Sequence, residues 1–494
     1  MTTQAEVISW LKQPDHIRII LVEVQGIVEV PGGTLYLSNK PYTSTSSDTP
    51  ASTYYEACIT GGISFSESID LEGAPTIGYG DLEIDNTAGV RDAWLNYVWA
   101  NKYVNIYIGD PRWARNNFYQ IFSGLVTDIA SRDLNRLNII LLNKLERLNR
   151  PIYETVLGGS GQNADRVKPL LFGECFNVEP LLTDSVPNTL QYMVHDGNIE
   201  DIIEVRDNGV PVSITKTLAS GTFNLVRSPA GQITASVQGC KPTTYLTKIP
   251  ELIQHIVTTY GPSNTRFSIS DIDTTNFTSY NTTYTQPVGI YCKDRENILD
   301  VCNRLASSIG GALTVSSSGL LKLTRLTVPT SNGVTWNIGA EDVEVDSFYI
   351  SDKPPVKGAI KIAYCKNWTP QNSGLATGLP SVDVPVFEKD WYYSDATDGT
   401  TLSTYKLTDE PIAEETMLIT TTTANTEATR RLALWSTPRY IVSLTCYAHM
   451  LPVELGDGVN MTHFRYAYTG GKTGTIISIE RDWIAGRVVL GVLV

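Results

Sequence analysis

Short runs of apolar residues, broken every few positions by Ser, Thr, Asn or Gly, dominate this chain and predict strands far more often than helices. The run Ile17–Val24 is β-branched and passes through Gly26 into Ile27–Val30 and a Pro31-Gly32-Gly33 turn, a hairpin-like opening. Thr34–Leu37, Ile63–Ile69, Gly80–Asp85, Val104–Ile108, Phe118–Ile129 and Leu137–Leu142 read as further strands, and this β-rich stretch closes near Pro151. Two interruptions stand out. Val90–Trp99 has apolar residues at 90, 94, 95 and 98, which predicts a short helix. Asn39–Thr53 is mostly Ser, Thr and Pro, and reads as a surface excursion: a contact arm for a neighbour, or a mobile tip.

Gly158-Gly-Ser-Gly161 reads as a linker. Beyond it, Lys168–Gly173 leads to two hairpins, one turning at Asp207-Asn-Gly209 and the other at Pro229-Ala-Gly231. Thr247–Tyr260 carries Ile249, Leu252, Ile253, Ile256 and Val257 on one stripe and predicts a helix. A second helix starts at Asp294, carries Ile298, Val301, Cys302, Leu305 and Ile309, and stops at Gly310-Gly311. It runs into a hairpin of Leu313–Val315 and Leu320–Leu326, a local β-α-β-β module. From Trp336 onward strands return, with a helix at Thr426–Trp435 and strands at Tyr440–Tyr447, Thr473–Ile479 and Val488–Val494. The expected fold is mainly β with α+β inserts, in four consecutive segments: 1–158, 159–245, 246–333 and 334–494.

Composition narrows the function. Lys plus Arg is 38 against 52 Asp plus Glu, a net charge of −14, whereas a chain built to grip nucleic acid shows a basic face. Hydrophobic residues are 42%, ample for several cores, and no run approaches a membrane span. Residues Met1–Asp15 show no basic start followed by an apolar core, so no signal peptide is expected. The 7 Cys are scattered singly, which suits synthesis in a reducing cytoplasm better than a disulfide scaffold.

Catalytic chemistry finds little to work with. The five His are His16, His195, His255, His449 and His463, and no nucleophile elbow or zinc-spaced cluster accompanies them. Gly471-Lys-Thr473 ends like a P-loop, but Tyr466 stands where the loop needs Gly, and a β-branched strand follows instead of a helix. The carboxylate pairs Glu341-Asp342 and Glu414-Glu415 read as parts of a solvated acidic face, and Cys292 and Cys302 as small buried hydrophobes. No catalytic, cofactor-binding or metal-binding residue is assigned, and the chain reads as a non-enzyme.

Several segments resemble the tail-tip and baseplate hub proteins of tailed bacteriophages. Ile77–Asn86, Asp92–Trp99, Val104–Asp110 and Ile121–Ile129 look like the first tube-type barrel of such hubs. Lys168–Pro180 with Val205–Val210 is similar to the insert that follows it. Gln286–Tyr291 through Leu326–Pro329 looks like the hub α/β module. Leu451-Pro-Val-Glu-Leu-Gly-Asp-Gly-Val459 and Glu480–Leu490 resemble returning strands of a second barrel.

The resemblance implies two tube-like β-barrels flanking smaller α/β modules. It implies a homotrimeric ring in the virion, joining the tail tube or distal tail protein and tape measure protein to a central fibre or receptor-binding proteins. DNA passes such a ring only in transit, so an acidic or neutral lumen is expected. Some relatives hold an iron–sulfur cluster, but the Cys here lack close-spaced pairs of the ferredoxin type, and no cofactor is expected. A distal tail or fibre-attachment protein, and a cell-wall-degrading tail enzyme, are the alternatives.

Overall fold

Strands outnumber helices, as the alternation predicts, in a computed structural model that describes residues 2–72, 76–184, 190–331, 333–408 and 410–494. The chain divides into two compact units, each drawn from separate stretches. One comprises Met1–Glu146, Ala312–Pro355 and Pro438–Val494; the other comprises Arg147–Gly311 and Val356–Thr437. The expected segments were consecutive, whereas these units interleave. Among the described residues no helix is long and apolar enough to cross a membrane.

The first unit is built on one 15-stranded sheet. Its N-terminal strands are β1 (Ile19–Gln25), β2 (Thr34–Ser38), β3 (Tyr42–Thr43), β4 (Tyr54–Ala57), β5 (Ile59–Ser68), β6 (Tyr79–Asp85), β7 (Lys102–Gly109), β8 (Tyr119–Asp133) and β9 (Arg136–Asn143). Its C-terminal strands are β10 (Trp336–Ile338), β11 (Tyr349–Asp352), β12 (Ile441–Tyr447), β13 (Gly458–Met461), β14 (Lys472–Asp482) and β15 (Arg487–Leu493). The path runs β11-β12-β15-β14-β5-β6-β9-β8-β7-β1-β2-β4-β3, with β13 on β14 and β10 on β13.

The two chain ends therefore share one open sheet, and neither closes into a barrel of its own among the described residues. The cause lies in β14. Its edge is divided: Lys472–Thr475 pair with β13, and Ser478–Asp482 pair with Ser64–Ser68 of β5. The N-terminal strands continue the ladder that a closed C-terminal barrel would have used itself.

Strand β1 is buried on both faces from Ile19 to Val24. Ile19 and Leu21 pack with Tyr42, Tyr55, Tyr107 and Phe118 in an aromatic cluster. On the same face Glu23 is buried, and its Oε1 accepts from Arg115 Nη2 at 2.6 Å and from Tyr55 Oη at 2.5 Å. A buried carboxylate is tolerable only with such partners.

The Asn39–Thr53 loop is folded rather than free. Asp48 is buried, and it accepts from Thr45 N and Oγ1 at 2.7 Å and from Asn116 N at 3.2 Å. Ser44 is buried as well and donates to the Pro50 carbonyl at 2.6 Å. Polar composition here marks a hydrogen-bonded loop, because Asp, Ser and Thr satisfy the backbone where a core would not. The Val90–Trp99 segment also departs from expectation. Only the short 3₁₀ turns Thr87–Gly89 and Asp92–Asn96 form, and Val90, Leu95 and Val98 face solvent while Trp94 and Trp99 are buried.

In the second unit, Val210–Pro211, Ile199–Asp207, Ile233–Cys240, Leu170–Val178 and Gly289–Cys292 form a five-stranded sheet in that order. Leu181–Asp184, Gln191–Met193, Thr222–Leu225 and Ile214–Thr217 form a second sheet. The Asp207–Gly209 hairpin forms with Asn208 and Gly209 both at positive φ, as a tight primed turn requires. The Pro229–Gly231 turn joins no hairpin, because Thr222–Leu225 and Ile233–Cys240 belong to different sheets. Its Ala230 and Gly231 amides are taken by the Asp207 carboxylate instead.

The expected linker at Gly158–Gly161 is the tip of a closed loop, with Leu157 N donating to Arg166 O and Lys168 N to Thr155 O at 2.9 Å. Helix Ile249–Thr259 buries the predicted stripe. Helix Ile298–Ser307 is capped by Asn297, whose side chain accepts from Leu299 N, rather than by Asp294. The hairpin after it falls almost wholly in the first unit, so the β-α-β-β module is not one local body.

Candidate assembly surface

The titratable side chains decide whether the site is chemical. Cys240 Sγ lies 3.3 Å from His255 Nε2, a thiol–imidazole contact. A nucleophile needs the thiolate, yet burial pushes the Cys240 thiol up to about 11 and holds His255 below its ordinary value. His195 accepts at Nδ1 from Leu171 N at 2.9 Å, and burial pushes its pKa down to about 4. His449 Nε2 meets Asp342 Oδ1 at 2.8 Å. His463 stacks on Phe348 with ring centroids 4.2 Å apart, and His16 packs edge-on to Trp10.

The remaining sequence candidates serve the framework. Glu414 is held by Lys357 at 2.9 Å and by Arg431 at 2.6 Å. Lys472 and Thr473 open β14, with the Lys472 ammonium over the Tyr440 and Tyr468 rings, so Gly471-Lys-Thr473 is a strand start. Cys58, Cys175, Cys240, Cys292, Cys302, Cys365 and Cys446 are free thiols. Among the described residues no group of three or more His, Cys, Asp or Glu side chains is arranged to hold a metal ion.

Within the first unit the Gly-Asp turns of the quoted segments are structural. Gly456 sits at φ +84°, and a Cβ there would lie 2.1 Å from Thr324. Asp457 beside it accepts from Trp336 Nε1 at 2.8 Å and from Glu454 N at 3.0 Å. Glu454 in turn takes Lys322 at 2.6 Å. Asp110 is fully buried and is held below the usual carboxylate range chiefly by the Arg112 side chain donating to it.

The join between the two halves of the sheet is a buried ion pair that sequence reasoning did not single out. Arg481 on β14 donates from Nη1 to Glu67 Oε1 on β5 at 2.6 Å, and from Nε to Leu451 O at 3.2 Å. Phe65, Phe122 and Trp483 pack beside it, with Phe65 stacked on Trp483 at 6.0 Å. The available signal was a charge inside each β-patterned run, at Ser-Glu-Ser68 and Ile-Glu-Arg481.

Among the described residues, the exposed apolar side chains include two groups in the first unit. Strand β11 ends the sheet path, and all four of its residues are exposed, Tyr349 and Ile350 among them. Its neighbour Phe348 carries His463 and Tyr466, and Phe464 stands outward beside them, 73% exposed. The second surface is a rim of the N-terminal strands, where Val28, Val90, Leu95, Val98 and Leu134 are all exposed.

No protein-family model matches the chain, and no curated protein matches it. Among solved structures it is similar to the 43 kDa tail protein of prophage MuSo2 from Shewanella oneidensis, at 12% identity and a TM-score of 0.43, over 97% of this chain and 98% of that one. It is similar to prophage tail protein gp18 from Listeria monocytogenes, at 10% identity and 0.42, over 95% and 94%. A tail protein from Neisseria meningitidis follows at 7% and 0.40, over 96% of both chains. The first two of these neighbours are prophage tail proteins and the third is a tail protein.

Proposed function

We propose that this chain is a structural virion protein of a bacteriophage tail, acting as the hub of the tail tip or baseplate without chemistry of its own. The observation that carries the reading is the single open sheet built by both chain ends and terminated by the uncovered strand β11. A free strand edge is a template for pairing with another chain. The order of hub-like segments along the sequence supports the same reading.

In this account the subunits form a three-fold ring, each contributing its N-terminal and C-terminal strands. The ring joins the tail tube to tip and receptor-binding components and lets DNA pass on infection. A net charge of −14 per subunit suits a lumen that does not hold a polyanion. Mass photometry of the purified chain tests it: the expected particle weighs three times the 54.3 kDa chain. A six-fold mass would favour the distal tail alternative, and a monomer at micromolar concentration would refute the ring.

A further inference from the structure

The loop 462–471, between β13 and β14, carries His463, Phe464, Arg465, Tyr466 and Tyr468 and has no acidic residue. Its backbone is held in place. Arg465 N donates to His463 Nδ1 at 3.2 Å, Tyr468 N to Arg465 O at 3.2 Å, and Gly471 N to Tyr468 O at 3.0 Å. Tyr466 and Ala467 stand at φ +56° and +60°, consecutive left-handed positions that side chains other than glycine rarely take. Such strain persists only where surrounding contacts over-determine the loop.

Ring contacts join the loop to its surroundings as one continuous surface. Buried Phe348 is the centre: His463 stacks on it at 4.2 Å and Tyr466 at 6.2 Å, while Tyr468 packs edge-on at 5.3 Å. His463 in turn carries Phe464, 4.3 Å away and 73% exposed. From Tyr468 the surface continues through the Lys472 ammonium, 5.4 Å from that ring and 5.5 Å from Tyr440. The Lys353 ammonium lies 5.5 Å from the same Tyr440 ring, and the Arg465 guanidinium 5.7 Å from Tyr466.

The charge of this surface runs against that of the chain. Lys353, Arg465 and Lys472 are all exposed, and none of them makes an ion pair among the described residues. The exposed carboxylates beside Phe348 and Lys353 in sequence are Asp346 and Asp352, and Asp352 accepts from Lys353 N at 2.7 Å. Three unpaired cations therefore sit on an aromatic surface of a chain whose net charge is −14.

The occupant follows from which parts of the rings are open. A single nucleic-acid strand stacks its bases on free aromatic faces. Here Tyr440 is engaged by two ammonium groups, and Tyr466 by Arg465 and Phe348. What the loop presents is Phe464, standing outward among cations. An apolar side chain to insert and basic groups for the headgroups are the two terms that hold a protein on an anionic bilayer.

We propose that the 462–471 loop is a lipid-contacting tip, which places Phe464 at the interface of an anionic bilayer with Arg465, Lys472 and Lys353 on the lipid phosphates. The proposal goes beyond the tail reading and does not depend on it. The contact is peripheral and leaves the β11 edge, on the other side of Phe348 in sequence, free to pair.

Flotation of the purified full-length chain with phosphatidylcholine–phosphatidylglycerol vesicles, or with phosphatidylcholine alone, tests it. The wild type should partition onto the anionic vesicles at least about tenfold better than onto the neutral ones. Phe464→Ser should lower that partition about tenfold, the scale of one aromatic side chain moved out of water. Lys472→Gln should lower it about fivefold. Both side chains are exposed, so both variants should keep the wild-type sedimentation and melting temperature. Equal partition onto the two kinds of vesicle, no partition, or wild-type partition of Phe464→Ser overturns the proposal. Binding of a thymidine oligonucleotide that Lys472→Gln weakens, with the vesicles left unbound, also overturns it and makes the surface a nucleic-acid site.

Discussion

Arg481 and Glu67, 414 positions apart in sequence, meet at 2.6 Å and tie the C-terminal strands to the N-terminal ones across the β14–β5 ladder. Both side chains are buried. Removing one partner leaves the other charged in a low-dielectric setting, which costs about 3–5 kcal/mol, whereas removing both is far milder. Arg481→Met should therefore destabilise the first unit by about that amount. The double change Glu67→Gln/Arg481→Met should recover part of the loss. Urea denaturation of the wild type, Arg481→Met, Glu67→Gln and the double variant measures the coupling, and additive effects would contradict it.

The polar loop carries the second prediction. Asp48 satisfies the backbone amides of Thr45 and Asn116 from a buried position. Asp48→Ala should cost about 1–3 kcal/mol, because those donors lose their acceptor out of reach of water. Thermal denaturation checks this. A variant as stable as wild type would restore the picture of a free arm.

His195 gives the pH dependence. Burial is the first cause of its depressed pKa, with Asp196 opposing and His255 reinforcing, and the value falls from 6.5 to about 4. The folded state binds this proton more weakly than the unfolded chain, so the contribution is complete above about pH 6.5 and is lost as pH falls toward 4. The loss amounts to roughly 3 kcal/mol across that window. His195→Gln keeps an acceptor for Leu171 N and should flatten the stability–pH slope between pH 6.5 and 4, with little change in slope above pH 7. Equal slopes in both proteins would contradict the assignment.

How much of this was legible in the sequence depends on the range of the interaction. Strand β9 and helix Ile249–Thr259 were readable because their burial follows a local period. The N-terminal helix Gln4–Leu11 was not expected, although Thr3 and Glu6 form a capping box that announces it. Helix Thr274–Thr283 buries only Phe277 and has no apolar period to read. At Val90–Trp99 the apolar stripe was visible but its meaning was inverted, since in sequence an apolar residue that faces solvent looks the same as one turned inward. The β5–β14 join was illegible for a different reason: no local pattern tells Ser64–Ser68 that their partners are Ser478–Asp482.

The uncovered edge carries a further prediction. Tyr349→Lys/Ile350→Lys puts charge on β11 in the manner that edge strands of monomeric proteins use against pairing. The variant should fold, with wild-type circular dichroism, and should sediment mainly at the 54.3 kDa chain mass. An unchanged oligomer would show that β11 is not the edge through which copies pair.

The central claim is that the chain is the hub of a phage tail tip, and electron cryomicroscopy of the particle with this chain located in its density tests it most directly. The account predicts three copies around the tail axis. Each should place its β5–β14 join in the ring wall. Six copies, or a position off the axis, would contradict it.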